Sequence, residues 1–214
     1  MKGDILIIKD FHRKAAKEIA ELILPDIKSA DKPFIITIAG ESGAGKSEIA
    51  ASLAESLKAQ GIPSYVFQQD DFFIFPPKTN AAKRKEDIEW VGMQEVKLDL
   101  LNEIIAAIHS GVTEIEKPMV IFDEERITEE TIDLSGVKVI IAEGTYTTAL
   151  KNADLHIFID RDVNDTRASR KERAREAQDE FLEQILNIEH KIISEHKNKA
   201  GILINKDFSV TKKY

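Results

Sequence analysis

The chain contains no cysteine, which excludes a disulfide framework and any thiolate metal site and fits a reducing compartment. A cytoplasmic location is the resulting expectation. Long apolar runs are missing too: the opening MKGDILIIKD holds four apolar residues in a row between Asp4 and Lys9, too few for a signal-peptide core or a membrane span. Positive charge is in deficit, with 38 acidic residues against 30 basic ones and a formal charge of -8. Such a surface repels polyanions, so neither nucleic acid nor a membrane is expected as a partner; a homo-oligomer is compatible with the composition. Glycine is sparse at 10 residues, yet three of the ten fall at positions 40, 43 and 45.

What is present suffices for one core. A chain of 214 residues that is 43% hydrophobic fills a single domain without requiring two. We expect that domain to span 1–214, with 1–32 as an N-terminal strand and helix extension and about 161–180 as a lid. In FHRKAAKEIAELIL, residues Phe11, Ala15, Ile19, Leu22 and Ile23 share one face at helical spacing, and Pro25 is expected to end that helix. FIITIA at 34–39 is a β-branched run between Pro33 and Gly40 that reads as a buried strand. Helical spacing resumes over 46–60. Further strands are expected at 64–67, 137–142, 155–159 and 201–204, with helices near 94–109 and after 159. Strands alternating with helices predict an α/β fold with a mostly parallel, five-stranded sheet flanked by helices. The least regular stretch, 74–93, contains Pro76, Pro77 and Lys83-Arg84-Lys85 and is expected to be a mobile surface segment.

The clustered glycines belong to Gly40-Glu41-Ser42-Gly43-Ala44-Gly45-Lys46-Ser47. This is G-x-x-x-x-G-K-[ST], placed between a predicted strand and a predicted helix as a phosphate-binding loop requires. Its glycines let backbone N–H groups converge on phosphate oxygens, and the helix start adds a positive dipole end. Lys46 is expected to reach the β- and γ-phosphates of ATP and the Ser47 hydroxyl to ligate Mg²⁺. We assign Gly40 through Glu48 to nucleotide binding and expect a P-loop NTPase fold.

Ligands of an α/β sheet lie outside the carboxyl ends of its strands. Two acidic sites sit there. The 64–67 strand runs into Gln68-Gln69-Asp70-Asp71-Phe72-Phe73, and the 137–142 strand into Glu143-Gly144. A kinase acting on an alcohol needs one carboxylate to orient the hydroxyl and take its proton, and another to hold Mg²⁺. Asp70 suits the first role and Glu143 the second, although an Asp pair is also common in solvated turns. Arg161, Arg167, Arg170, Lys171, Arg173 and Arg175 form the densest cationic stretch. Arg167, Arg170 and Lys171 share a helical face, and guanidinium forks stabilise a transferring phosphoryl group. Glu172, Glu176 and Glu180 offer the alternative of ion pairs along a solvated helix. Trp90 reads as core before it reads as an acceptor-stacking ring, and His109 as a capping cation near a helix end.

In this order, the loop GESGAGKS, Asp70-Asp71-Phe72-Phe73, Glu143-Gly144 and Asp165-Thr166-Arg167 resemble the uridine kinase and phosphoribulokinase family over about 33–205. The resemblance implies a small-molecule kinase that uses ATP and Mg²⁺, with Asp70 as catalytic base, Lys46, Arg167 and Arg170 as catalytic cations, and Ser47 and Glu143 at the metal. The later FLEQILNIEH is similar to the family's helix beyond the lid. Departures concentrate in the acceptor pocket. Phe73 stands where uridine kinases carry Tyr, no Asp-His-Pro occurs near 84–92, Phe122-Asp123-Glu124 lacks the family's His, and Arg-Glu-Ala replaces Arg-Gly-Arg. The expected acceptor is therefore broader than uridine: a nucleoside, a sugar or a related alcohol. The competing reading is a nucleotide-dependent switch or regulatory ATPase with no small acceptor; no N-K-x-D guanine-reading motif supports a GTPase, since Asn205-Lys206-Asp207 lacks the intervening residue.

Overall fold

The computed structural model describes residues 1–3, 6–173 and 179–213, with the backbone alone at 173. Arg175 and Glu176 of the expected lid, and residues 4 and 5 of the expected N-terminal strand, lie outside the described residues.

Helix α1 (Asp10–Ser29) precedes β1 (Phe34–Gly40), α2 (Lys46–Ala59) and β2 (Ser64–Gln68). There follow α3 (Pro77–Glu86), α4 (Leu98–His109), β3 (Glu114–Ile121), β4 (Arg126–Asp133), β5 (Val139–Glu143), β6 (Leu155–Ile159), α5 (Val163–Arg173), α6 (Glu180–Ile193), β7 (Ile202–Ile204) and β8 (Val210–Lys212). Among the described residues the main sheet has the order β2-β5-β1-β6-β7-β8. Its first five strands are parallel, as expected, and β8 adds an antiparallel edge to β7. The register carries the site: Ile38 pairs with Glu143 and Gln68 with Glu143, so the ends of β1, β5 and β2 finish at one level.

One core lies between α1, α2 and the sheet, where Ile19, Ile23, Ile36, Ile49, Leu53 and Ile141 are fully buried. Each such side chain contributes about 1.5–3 kcal/mol over its exposed state. A second core, on the opposite face, gathers Phe67, Phe72, Leu101, Ile105 and Tyr146. Helix α1 runs through Pro25 to Ser29 rather than ending at the proline. Pro25 and Glu21 both lie on the exposed face, so the Glu21 carbonyl that loses its helical N–H partner faces water, while burial of Ile27 rewards the extra turn. Phe11 departs from the buried stripe of Ala15, Ile19 and Ile23 and is 41% exposed.

Three further differences concern the middle of the chain. The segment 74–93 contains a regular helix, α3, begun by Pro77 at its first turn. The β3–β4 hairpin forms a separate two-stranded sheet where no strands are expected from sequence. Both faces of β3 are buried in part, Ile115 and Lys117 on one and Pro118 and Val120 on the other, which hides the period-two signal. At the N-terminus, the described residues form one bridge, Lys2 to Ile121, and no strand of the main sheet.

Candidate active site

The loop from Gly40 to Ser47 leaves β1 and enters α2 at Lys46. Gly45 takes a left-handed backbone, φ 102°, that favours glycine, and a Cβ there would stand a tight 3.0 Å from His12 Nε2 of α1, so helix and loop meet closely. Burial holds the His12 imidazole down to about 4, leaving it neutral at pH 7. Lys46 Nζ donates to the Glu41 carbonyl at 3.0 Å, folded back along its own loop.

Glu143 ends β5 and is 4% exposed. Burial first, and then the Asp70 charge, push its carboxyl up to about 7, against the pull of Lys46 and of a hydrogen bond from Ser47. Lys46, Ser47, Asp70 and Glu143 thus form one electrostatic group, and the structure brings these four sequence-predicted residues together. Gly144 makes the crossing possible. With φ 155°, a Cβ there would lie 2.2 Å from the Gln69 Cβ, while the Gln69 side-chain oxygen accepts from the Tyr146 N–H at 2.7 Å.

The two adjacent aspartates face different partners. They sit in a 3-10 turn, Gln69–Phe72, whose 120° step per residue separates neighbours. Asp70 is half-buried beside Glu143. Asp71 is 4% exposed; it accepts from Lys117 Nζ at 3.1 Å and from the Val120 N–H at 3.0 Å, and pairs with the terminal ammonium at 2.9 Å. Lys117 also meets Glu130 at 2.7 Å. Asp71 therefore fastens the β3–β4 hairpin to the turn that carries Asp70.

Helix α5 lies on the loop. A Cβ on Gly43 would come within 2.7 Å of the Arg170 Cγ. Arg170 is 8% exposed, and its Nη1 donates to the Val163 carbonyl at 3.0 Å and to the Thr166 hydroxyl. Arg167 points elsewhere, 63% exposed by side chain and 3.8 Å from Glu183 of α6. The structure thus sets Arg170 against the loop and Arg167 at the surface, facing α6.

Sequence reasoning missed α6 as a hub. His190 contacts the Glu41 carboxylate, whose acidity burial weakens and His190 restores in part. The preceding residue, Glu189, accepts from Arg84 at 3.3 Å. Arg84 also forms a two-point contact with the fully buried Glu95, at 2.6 and 3.0 Å. Asn80 of α3 bonds Glu95 at 2.5 Å and accepts from the Trp90 indole N–H at 2.9 Å. Trp90 is half-buried beside Phe75, with ring centroids 5.7 Å apart. Tyr146 is 2% exposed, and its hydroxyl finds no hydrogen-bond partner among the described residues. The only sequence signal for this network is one arginine in a basic run, which cannot reveal carboxylates 11 and 105 residues away.

No protein-only cluster of three or more His, Asp or Glu side chains suited to a metal occurs among the described residues. Mg²⁺ seldom needs one, because it keeps waters and phosphate oxygens around one or two protein ligands. A buried carboxyl raised to about 7 next to a serine hydroxyl is a site that a bound cation would relieve, so Ser47 and Glu143 fit the ion. None of the described helices is long and apolar enough to cross a membrane.

With this geometry in view, comparison with known proteins gives consistent findings. The family model described as Phosphoribulokinase / Uridine kinase family matches residues 35–197. The chain is 28% identical over 196 residues to the bifunctional alpha-galactosidase/sucrose kinase AgaSK of Mediterraneibacter gnavus, covering 85% of this chain and 21% of that protein. It is 29% identical over 136 residues to a uridine kinase of Ureaplasma urealyticum, covering 62% of this chain and 64% of the relative. A uridine kinase of Clostridium novyi is 28% identical over 189 residues, covering 81% and 87%. The chain thus spans about a fifth of the first relative's length and under two thirds of the second's. Among solved structures, one titled a possible uridine kinase from Bacillus stearothermophilus superposes with TM-score 0.64 at 17% identity, covering 89% of this chain and 97% of that one. Phosphoribulokinase from Rhodobacter spheroides gives 0.64 at 15%, covering 82% and 71%. At these identities the superpositions speak to the fold.

Proposed function

The chain belongs to the phosphoribulokinase/uridine kinase family; from that premise we propose that it is a small-molecule kinase that moves the γ-phosphate of ATP onto a hydroxyl of a nucleoside, a sugar or a related alcohol. The observation that carries this reading is the gathering of Lys46, Ser47, Asp70 and Glu143 at the ends of adjacent strands. The loop amides and Lys46 would hold the triphosphate, and Asp70 would orient the acceptor hydroxyl and accept its proton. The acceptor oxygen bonds to the γ-phosphorus as the bond to the β–γ bridging oxygen breaks, leaving ADP. Ser47 and Glu143 would hold Mg²⁺, which supplies charge neutralisation at the phosphates when bound. Among the described lid cations Arg170 packs against Gly43 and would face the phosphates, and Arg167 would join it if α5 turns on closure. We take 1–214 as one kinase domain, with α5 as its lid.

The relatives' names, uridine kinases and a sucrose kinase, set the acceptor panel. ADP release is to be measured with Mg·ATP and uridine, cytidine, sucrose, hexoses, glycerate and pantothenate in turn. One acceptor should raise the rate at least tenfold. A slow release that no acceptor accelerates, together with a nucleotide-dependent protein partner, would replace the kinase by a regulatory ATPase.

A further inference from the structure

The topology separates the two ends of a bound nucleotide. Asp70 and Glu143 follow β2 and β5 on one flank of β1, whereas Arg161 and Phe208 follow β6 and β7 on the other. A triphosphate lying along Gly40–Ser47 with its γ end toward Asp70 therefore carries its nucleoside toward Arg161 and Phe208.

A stack of flat groups stands at that end. The Arg161 guanidinium lies 4.9 Å from the Phe208 ring centroid. The Phe11 centroid is 4.4 Å from that of Phe208 at an interplanar angle of 32°, and His12 meets both rings edge-on. Phe208 is 8% exposed and has a left-handed backbone, φ 64°, a conformation costly for a bulky residue and kept only where surroundings impose it. Phe11 departs from the residues that continue its stripe along α1, since Ala15, Ile19 and Ile23 are buried and Phe11 is 41% exposed. It borders a cavity that also touches His12, Gly43, Gly45, Arg161 and Glu172. The enclosed space is about 30 Å³, enough for a water molecule, so a base would lie on the open face of Phe11 with only an edge reaching inward. Lys9 pairs with Glu172 of α5 at 2.6 Å, joining this wall to the lid.

We infer that Phe11, on a helix outside the family-matched residues 35–197, stacks on the nucleobase of the phosphoryl donor, so that α1 forms the outer wall of the nucleoside site. The inference rests on the kinase reading above. A ring that served packing alone would be buried with its neighbours; a ring beside phosphate-loop glycines, half open and backed by a second ring and a guanidinium, suits a purine, because base–aromatic stacking needs one free π face.

The test compares ATP with tripolyphosphate, which has the phosphates and no base, by calorimetric titration with Mg²⁺ of the full chain and its variants. Phe11→Ala should raise the ATP dissociation constant about tenfold, within the usual range for loss of one stacked base, and leave tripolyphosphate within twofold. Phe11→Trp should restore ATP binding. Phe11→Leu keeps most of the packing volume and gives the same discrimination should the alanine variant fold poorly. Equal weakening of both ligands would assign Phe11 to structure and overturn the inference, as would unchanged ATP binding. Lys46→Ala separates the two levels: it should weaken both ligands. A wild-type chain that binds neither ligand would take down the nucleotide reading itself, whereas binding of both with Phe11 indifferent removes this inference alone.

Discussion

The phosphate-loop side of the cleft and the side that we propose for the acceptor are built in opposite ways. The donor side is mostly backbone: eight consecutive residues, from the end of β1 into the first turn of α2, shape the loop, and glycines at 43 and 45 let α5 and α1 approach within contact. The acceptor side is mostly side chain. There Arg84, Glu95 and Glu189 come from three separate segments, and Lys117, Asp71 and Glu130 from three more. A site made of local backbone tolerates change around it so long as the loop sequence persists. A site made of remote ion pairs is easily remodelled, since each pair is one substitution from being broken; on the proposed function, acceptor choice can then change while ATP handling is kept.

Six substitutions, in four experiments, break or sharpen this contrast. The largest effect belongs to the donor side: Lys46→Ala should abolish phosphoryl transfer while the chain still folds, because the core residues on either side of the sheet are untouched; circular dichroism checks the fold and ADP release the activity. Turnover near wild type would remove the loop from the reaction.

Next come the adjacent aspartates, which the contrast assigns to different duties. Asp70→Asn keeps its size and loses its basicity, so acceptor phosphorylation should fall by about 10²- to 10⁴-fold with ATP affinity intact. Asp71→Asn should instead lower stability, by about 3 kcal/mol, because it leaves the buried Lys117 with a weaker partner; denaturant titration reads this directly. A catalytic defect at Asp71 without loss of stability would reverse the assignment.

Glu143→Gln tests the electrostatics between the two sides. The Glu143 carboxyl is raised from 4.5 to about 7, so the folded chain holds a proton that the unfolded chain has released. Its contribution is full below about pH 4.5 and is lost as pH rises through 7. A shift of this size corresponds to roughly 3 kcal/mol. The glutamine variant does not titrate, so without ligands it should gain stability over wild type between pH 5 and pH 8, and activity at saturating Mg²⁺ should fall. A stability gap that is flat with pH would contradict the shift.

The smallest effect distinguishes the lid arginines. Arg170→Ala should lower kcat about tenfold or more with a lesser change in ATP affinity, whereas Arg167→Ala, exposed and 3.8 Å from Glu183, should cost less than threefold. Equal losses would mean that α5 rotates to bring both to the phosphates.

The same contrast explains what the sequence disclosed. The parallel sheet and the loop were legible because apolar runs such as FIITIA and VKVIIA and the glycine spacing are local signals, and Asp70 and Glu143 follow from strand ends alone. Pro25 misled because part of its cost, the unpaired Glu21 carbonyl, is eased by water on the exposed face while Ile27 is buried in the turn that follows, and neither exposure nor burial is written in the residue type. The β3–β4 hairpin stayed hidden because Lys117 occupies a core-facing position, where its charge is matched by Asp71 and Glu130. Arg84 sits in a run that reads as solvated surface; its partners Glu95 and Glu189 are brought in by tertiary folding.

The placement of Glu189 and His190 side by side on α6 carries a consequence for how this chain can vary in length. One helix reaches both the Arg84 network and Glu41 of the phosphate loop, and each inserted residue turns a helix by about 100°. A single insertion between 180 and 188 would swing both side chains off their partners at once, uncoupling the two halves of the cleft with neither half altered in composition. Substitutions along α6 are filtered one by one, but its residue count behaves as a gear setting, and length changes should be confined to the loops on either side of it.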